Sequence, residues 1–300
     1  MTKTLKLGRR LWNPEARLAY VLLCPAIALI LIFMFSPIVE VFSMAFHKTD
    51  RLGRMQELVY FSNFADKFMS KDFWTITGRS FLWTAIGVIT KIVFGLIIAL
   101  LLNNEFKGRK IARMLFIIPW ASSAPISTLL WKWVYHHEFG LLNYSLRSIG
   151  ISNPPVWLGQ PVSAFIACLW VDVWIGIPFM ALVFLAGMQA IPKDLYEAAH
   201  IDGARFRESF RYITIPGIKH MILIASLLSS LWTFNDFIVI YILTRGGPAG
   251  TTDILISGVY KTAFEWGNFD QAAVMSVVTF FILSAISIVY ARVYFKGESS

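Results

Sequence analysis

Six long apolar runs leave this chain little choice of architecture. They fall at about 18–46, 79–103, 111–134, 163–190, 218–242 and 273–294. Each is long enough to cross a bilayer, which takes roughly 20 mostly apolar residues as a helix. With 57% hydrophobic and 15% charged residues in 300, a soluble core could not cover that much apolar surface. Inside a membrane every backbone N–H and C=O must be paired within the protein, so runs of this length predict helices. The expected fold is all-α, a polytopic membrane protein with six transmembrane helices. The first run is followed by Phe35-Ser36-Pro37, which lacks a small-x-small cleavage pattern, and reads as a span.

Lys and Arg set the expected orientation. If the N-terminus is cytoplasmic, sixteen basic residues fall on inside segments and nine on outside ones. The short second loop decides the matter, with Lys107, Arg109, Lys110 and Arg113 close together. Both termini are therefore expected in the cytoplasm of a cell-membrane protein. This gives a basic tail at 1–17, one membrane domain at 18–295 and a short tail at 296–300. The net charge of +9 serves topology and the lipid bilayer's headgroups, with no call for nucleic acid. The first outside loop, about 47–78, carries Phe61, Phe64, Phe68, Phe73 and Trp74 and is expected to hold a short amphipathic helix.

Little in the sequence suggests covalent chemistry. Cys24 and Cys168 lie singly inside spans and read as apolar fillers. His136-His137-Glu138 lacks a third ligand at suitable spacing, so no metal or other cofactor is expected. No nucleophile–base pair or carboxylate pair is legible, and the chain is not read as an enzyme.

The segment after the fourth run is polar and patterned. In Ile191-Pro192-Lys193-Asp194-Leu195-Tyr196-Glu197, Asp194 and Glu197 mark a helix start, with the helix running to about Ile201. Asp202-Gly203 breaks it, because glycine accepts a left-handed backbone. Beyond the break, Phe206, Phe210 and Ile213 share one face of a second short helix, which Pro216 is expected to end. The prediction is a helix-turn-helix elbow between two spans. An amphipathic loop resting on the headgroups is the competing reading.

Glu197-Ala198-Ala199, three further residues, then Gly203-Ala204 and a downstream Ile213-x-x-Pro216 resemble the EAA motif of ABC-importer permease subunits. The resemblance implies that the elbow, 193–216, is a coupling helix docked on a separate ATPase. Glu197, Ala198, Ala199, Asp202, Gly203 and Pro216 would then form the coupling surface. Ile215 stands where leucine is usual. Phe234-Asn235-Asp236-Phe237, Thr244-Arg245-Gly246-Gly247-Pro248 and Asp172-Val173-Trp174-Ile175-Gly176-Ile177-Pro178-Phe179 resemble the carbohydrate branch, of maltose and glycerol-3-phosphate type. That branch implies a second homologous permease, two copies of an ABC ATPase, an extracytoplasmic solute-binding protein near Gly246, Gly247 and Pro248, and a carbohydrate substrate. It implies sugar contacts at Asp172, Gly176, Phe179, Phe234 and Asn235. The chain carries no G-x-x-x-x-G-K-[ST], so ATP would be hydrolysed by another subunit.

Three ionisable residues stand at membrane depth, where they are costly unless they face a cavity or a partner: Lys91, Asp172 and Asp236. Asp172, Gly176 and Phe179 recur at one helix face. Asp172 could pair with Lys91 as a structural ion pair, and Phe179 and Phe234 could simply pack helices. An ion-coupled secondary transporter relaying through Asp172, Asp236 and Lys91 is the alternative function.

Overall fold

The structure is a computed structural model that describes residues 14–298. Most of the predicted basic tail (1–13) and the last two residues lie outside the described residues. Among the described residues, five helices are long and apolar enough to cross a membrane, or six if one sharply bent pair counts as a span. The chain divides into two compact units, residues 1–67 with 262–277 and residues 68–261 with 278–300.

The first unit is built on α1, which covers Pro14–Ile30, a π-helical turn at Leu31–Phe35 and Ser36–Ala45. Its apolar side chains from Leu18 to Phe35 are exposed all round, as suits a helix with no polar face. The loop beyond it departs from the expected lone helix. An antiparallel hairpin, β1 (His47–Thr49) and β2 (Met55–Leu58), precedes α2 (Ser62–Met69). Asn63, fully buried, staples the hairpin by donating to the carbonyls of Ala45 (3.1 Å) and His47 (2.9 Å). Gly53, at φ +78°, turns the hairpin against the ring of Phe269.

The second unit holds the helices between Lys71 and Tyr260, including α6 (Leu141–Ser148) and α11 (Leu255–Tyr260), and most of the last helix. α3 (Lys71–Asn103) begins eight residues earlier than the hydropathy suggested, because Ser70 caps it by accepting from the Phe73 N–H. α3 packs along α7 (Pro161–Gln189), and glycines set how closely. A Cβ on Gly95 would lie 2.6 Å from Met180 Cβ, and one on Gly87 would lie 3.1 Å from Asp172 Oδ2. Small residues at such seams let membrane helices approach. Around the seam lie Trp83, Val171, Met180, Phe184, Ile218 and Ile240, all buried. Gly95→Val is expected to cost about 1–3 kcal/mol by overpacking. Thermal unfolding in detergent should show a lowered midpoint, whereas Gly78→Val, whose Cβ would meet nothing within 4 Å, should not.

Two predicted spans need correction. The third is broken: α4 (Arg109–Ala121) and α5 (Ala124–Val134) meet at 96°. Ser122 and Ser123 are extended ahead of Pro125, which cannot supply a helical N–H. The Ser122 hydroxyl satisfies the opened turn, donating to the Pro119 carbonyl at 3.0 Å and lying 2.6 Å from Ser127 Oγ. The fifth, predicted to 242, stops at Phe234. Asp236 then caps α10 (Phe237–Leu243), Oδ1 accepting from the Val239 N–H at 3.2 Å.

Between α7 and the next span lies α8 (Lys193–Ile201), as expected. The second elbow helix is not a separate piece. It forms the first turns of α9, a continuous Phe206–Phe234 helix that passes through a π-helical turn at Phe210–Thr214. Pro216 therefore does not end it. The widened turn lies where the proline ring must be accommodated against the preceding carbonyls.

Candidate functional site

The elbow is exposed and sharply defined. No residue of α8 is buried, and Glu197, Ala198, Asp202, Gly203 and Pro216 all reach the surface, with Ala199 half-buried. Gly203 sits at φ +78°, and the helix closes with Gly203 N–H donating to His200 O (3.1 Å) and Ala204 N–H to Ala199 O (2.9 Å). This is the glycine C-terminal motif, which satisfies carbonyls the helix would otherwise leave bare. Tyr196 Oη lies 3.0 Å from Thr214 Oγ1 and ties α8 to α9. Leu195, Ile201, Phe206 and Tyr212 are apolar yet exposed. A polar helix bearing such a patch can dock a partner.

A half-open cavity of about 570 Å³ is lined by residues of α4, α5, α7, α9 and α10. Asp172, Gly176 and Phe179 line it from α7, and Asn235 and Asp236 from the break after α9. Lys91 enters from α3. Its Nζ stands 2.8 Å from Asp172 Oδ1, 2.7 Å from Asp172 Oδ2 and 2.6 Å from Thr233 Oγ1. Both charged side chains are buried, at 3% and 7% exposure. A buried pair is tolerable when each charge faces the other and further hydrogen bonds complete the shell. Gly176 makes the pair possible, since a Cβ there would lie 2.6 Å from Lys91 Cε. That close approach accounts for the glycine.

An aromatic wall closes one side. Trp120 stacks on Phe179 at 6.1 Å, and Trp232 meets Phe179 edge-on at 5.0 Å. Ile118-Pro119-Trp120 matches the family only loosely in the sequence, and Trp120 is not read there as a cavity residue, because its position relative to α7 depends on the break between α4 and α5. Phe234 does not join this wall. It is fully buried and packs against Phe81 at 5.7 Å, because the last turn of α9 points it into the helix seam.

The Gly246-Gly247-Pro248 loop is held firmly. Gly246, at φ +80°, is buried beneath it, where a Cβ would collide with Asp253 and Lys261. Arg79 donates to the carbonyls of Gly250 (2.6 Å) and Asp253 (2.9 Å), and Lys261 pairs with Asp253 at 2.7 Å. Arg245 and Ala249 are the exposed residues here, while Gly247 and Pro248 are half-buried. Gly246 thus shapes the loop rather than presenting a surface.

The profile described as "binding-protein-dependent transport system inner membrane component" matches residues 91–296. The chain belongs to that family. This permease is 34% identical to a probable ABC transporter permease of Brucella suis biovar 1, over 94% of this chain and 98% of the relative. It is 36% identical to the trehalose/maltose transport system permease MalF of Thermococcus litoralis, over 93% and 94%. It is 32% identical to the sulfoquinovosyl glycerol transport system permease SmoG of Agrobacterium fabrum, over 97% and 93%. Among solved structures, a bacterial ABC transporter involved in alginate import superposes with a TM-score of 0.84 at 23% identity, covering 96% and 99% of the two chains, which shows a shared fold. The permease family has no catalytic role of its own, and nothing in these comparisons supports the ion-coupled alternative. In this permease Lys91 and Asp172 close on each other instead of standing apart as relay steps.

Proposed function

We propose that this permease forms half of the translocation pathway of an ATP-driven importer for a sugar or polyol. It works with a second homologous permease, two ATPase copies and an extracytoplasmic binding protein. The observation that carries the reading is full-length similarity to permeases named for trehalose/maltose and sulfoquinovosyl glycerol transport. The cavity supports it. Aromatic faces at Phe179, Trp120 and Trp232 suit the C–H surfaces of a pyranose, and Asp172, Asn235 and Asp236 suit its hydroxyls.

With both termini in the cytoplasm, as the Lys and Arg distribution favours, the elbow faces the ATPase and the Gly246–Pro248 loop faces the binding protein. Closure of the ATPases displaces α8, with Glu197, Ala198, Ala199, Asp202 and Gly203 at the contact. The connected α9 then alters the cavity's access from one side to the other. Membrane vesicles made from cells expressing the whole importer test this. Sugar uptake should require both ATP and added binding protein. Uptake that runs on an ion gradient without ATP would overturn the reading.

A further inference from the structure

Little holds the elbow helix to the rest of the permease. No other helix among the described residues packs closely along α8. A half-open hollow of about 570 Å³ lies between it and the end of α3, lined by Asn103 and Asn104 on one side and by Tyr196 and His200 on the other. Only Tyr196 and Ala199 of α8 are half-buried, at i and i+3, and the rest of the helix is exposed. Of these two, Tyr196 carries the polar group, and its Oη lies 3.0 Å from Thr214 Oγ1. Thr214 is buried and closes the π-helical turn of α9. The Thr214 hydroxyl itself donates to the Ser209 carbonyl, at 3.4 Å. With that proton committed, the Tyr196 O–H is the donor and Thr214 Oγ1 the acceptor. A hydrogen-bond chain thus runs from the elbow into the widened turn, and bonds in such a chain reinforce one another.

Without this strut, the connection from α8 to α9 falls mainly to the four-residue turn at 202–205, built around the left-handed Gly203. A displacement of α8 would then be absorbed by swivelling of the turn. With the strut, α8, the turn and the base of α9 close into a ring, and α8 cannot move without loading the π-helical turn. Hydrogen bonds between elements that each move as a body are one means by which displacement passes between sites. We propose that Tyr196 is a positioning residue, whose hydroxyl hands movement of the elbow to α9 through Thr214. This inference rests on the ATPase-driven reading above.

Hydrogen exchange on the whole importer, with and without ATP and vanadate, tests it with no need of the transported sugar. In the parent, ATP and vanadate should change exchange in α8 and in residues 210–216 together. Tyr196→Phe removes a single oxygen. Its nucleotide-dependent change should persist in α8 and fall at least fivefold in 210–216. Thr214→Val should behave alike, and the double variant should be no worse than either, as for two residues acting through one bond. Thr214→Ser keeps a hydroxyl and should respond like the parent. A bond that only stabilises the fold would raise exchange equally with and without nucleotide, leaving the difference intact.

A response in 210–216 that survives Tyr196→Phe or Thr214→Val at parent size would overturn the strut and leave the docking elbow standing. Losses that add in the double variant would also overturn it. Loss of the response in α8 itself on Tyr196→Phe would move Tyr196 to the docking surface and remove it from this role. A parent whose α8 never responds to ATP and vanadate would instead sink the ATPase-driven reading.

Discussion

Asp172→Ala is expected to lower the stability of this permease by about 3–5 kcal/mol, the usual cost of leaving a buried charge without its partner. The structure gives the reason. Lys91 is 3% exposed, and its ammonium would keep only Thr233 Oγ1 at 2.6 Å. The ammonium would have to draw water into the seam between α3 and α7. Thermal unfolding in detergent and yield from membranes should both fall sharply. The double variant Asp172→Ala/Lys91→Met should recover most of the loss, because it removes both charges and returns an apolar stem to the space beside Gly176. A single variant as stable as the parent would show that the pair carries no structural weight.

Gly203→Val should reduce uptake by at least tenfold while ATP hydrolysis by the assembled importer continues. The reason is conformational, since a Cβ at Gly203 would meet nothing within 4 Å. The backbone there is left-handed, at φ +78°, where a β-branched residue costs about 1–2 kcal/mol. The least costly relief is to open the bonds from Gly203 to His200 and from Ala204 to Ala199, which frays the end of α8. Asn tolerates the left-handed region, so Gly203→Asn should keep most of the uptake. Uptake by Gly203→Val that equals the parent's would remove the docking role from the elbow.

Much of this architecture was legible because apolar length is a strong signal. The runs around α1, α3, α7 and α12 (Phe269–Glu298) needed no more than hydropathy. The elbow was legible from local chemistry, an acidic first turn followed by Asp-Gly. The pairing of Lys91 with Asp172 was legible as one of two readings, since a charge at membrane depth must have a partner.

The rest depended on tertiary geometry. Hydropathy averages over a window and cannot see a break of one or two residues. It therefore ran straight through Ser122-Ser123 and through Asn235-Asp236. Both breaks did leave local signals, a Ser-Ser before Pro125 and an Asp able to cap α10. Phe234 takes the packing role that the sequence leaves open beside a sugar contact, a choice that spacing along one helix cannot make. The hairpin at 47–58 alternates too weakly to be read from its residues. The aromatic wall needed α4 and α7 brought together, which no spacing along one helix could reveal.

The π-helical turn before Pro216 has a mechanical consequence. Because α9 runs unbroken from Phe206 to Phe234, Phe206 at the surface bend and Trp232 at the hollow ride on one rod. That rod is about 40 Å long at 1.5 Å per residue. A twist of its lower end is carried toward the indole of Trp232 along one helix, interrupted only by the five-residue wide turn near the base.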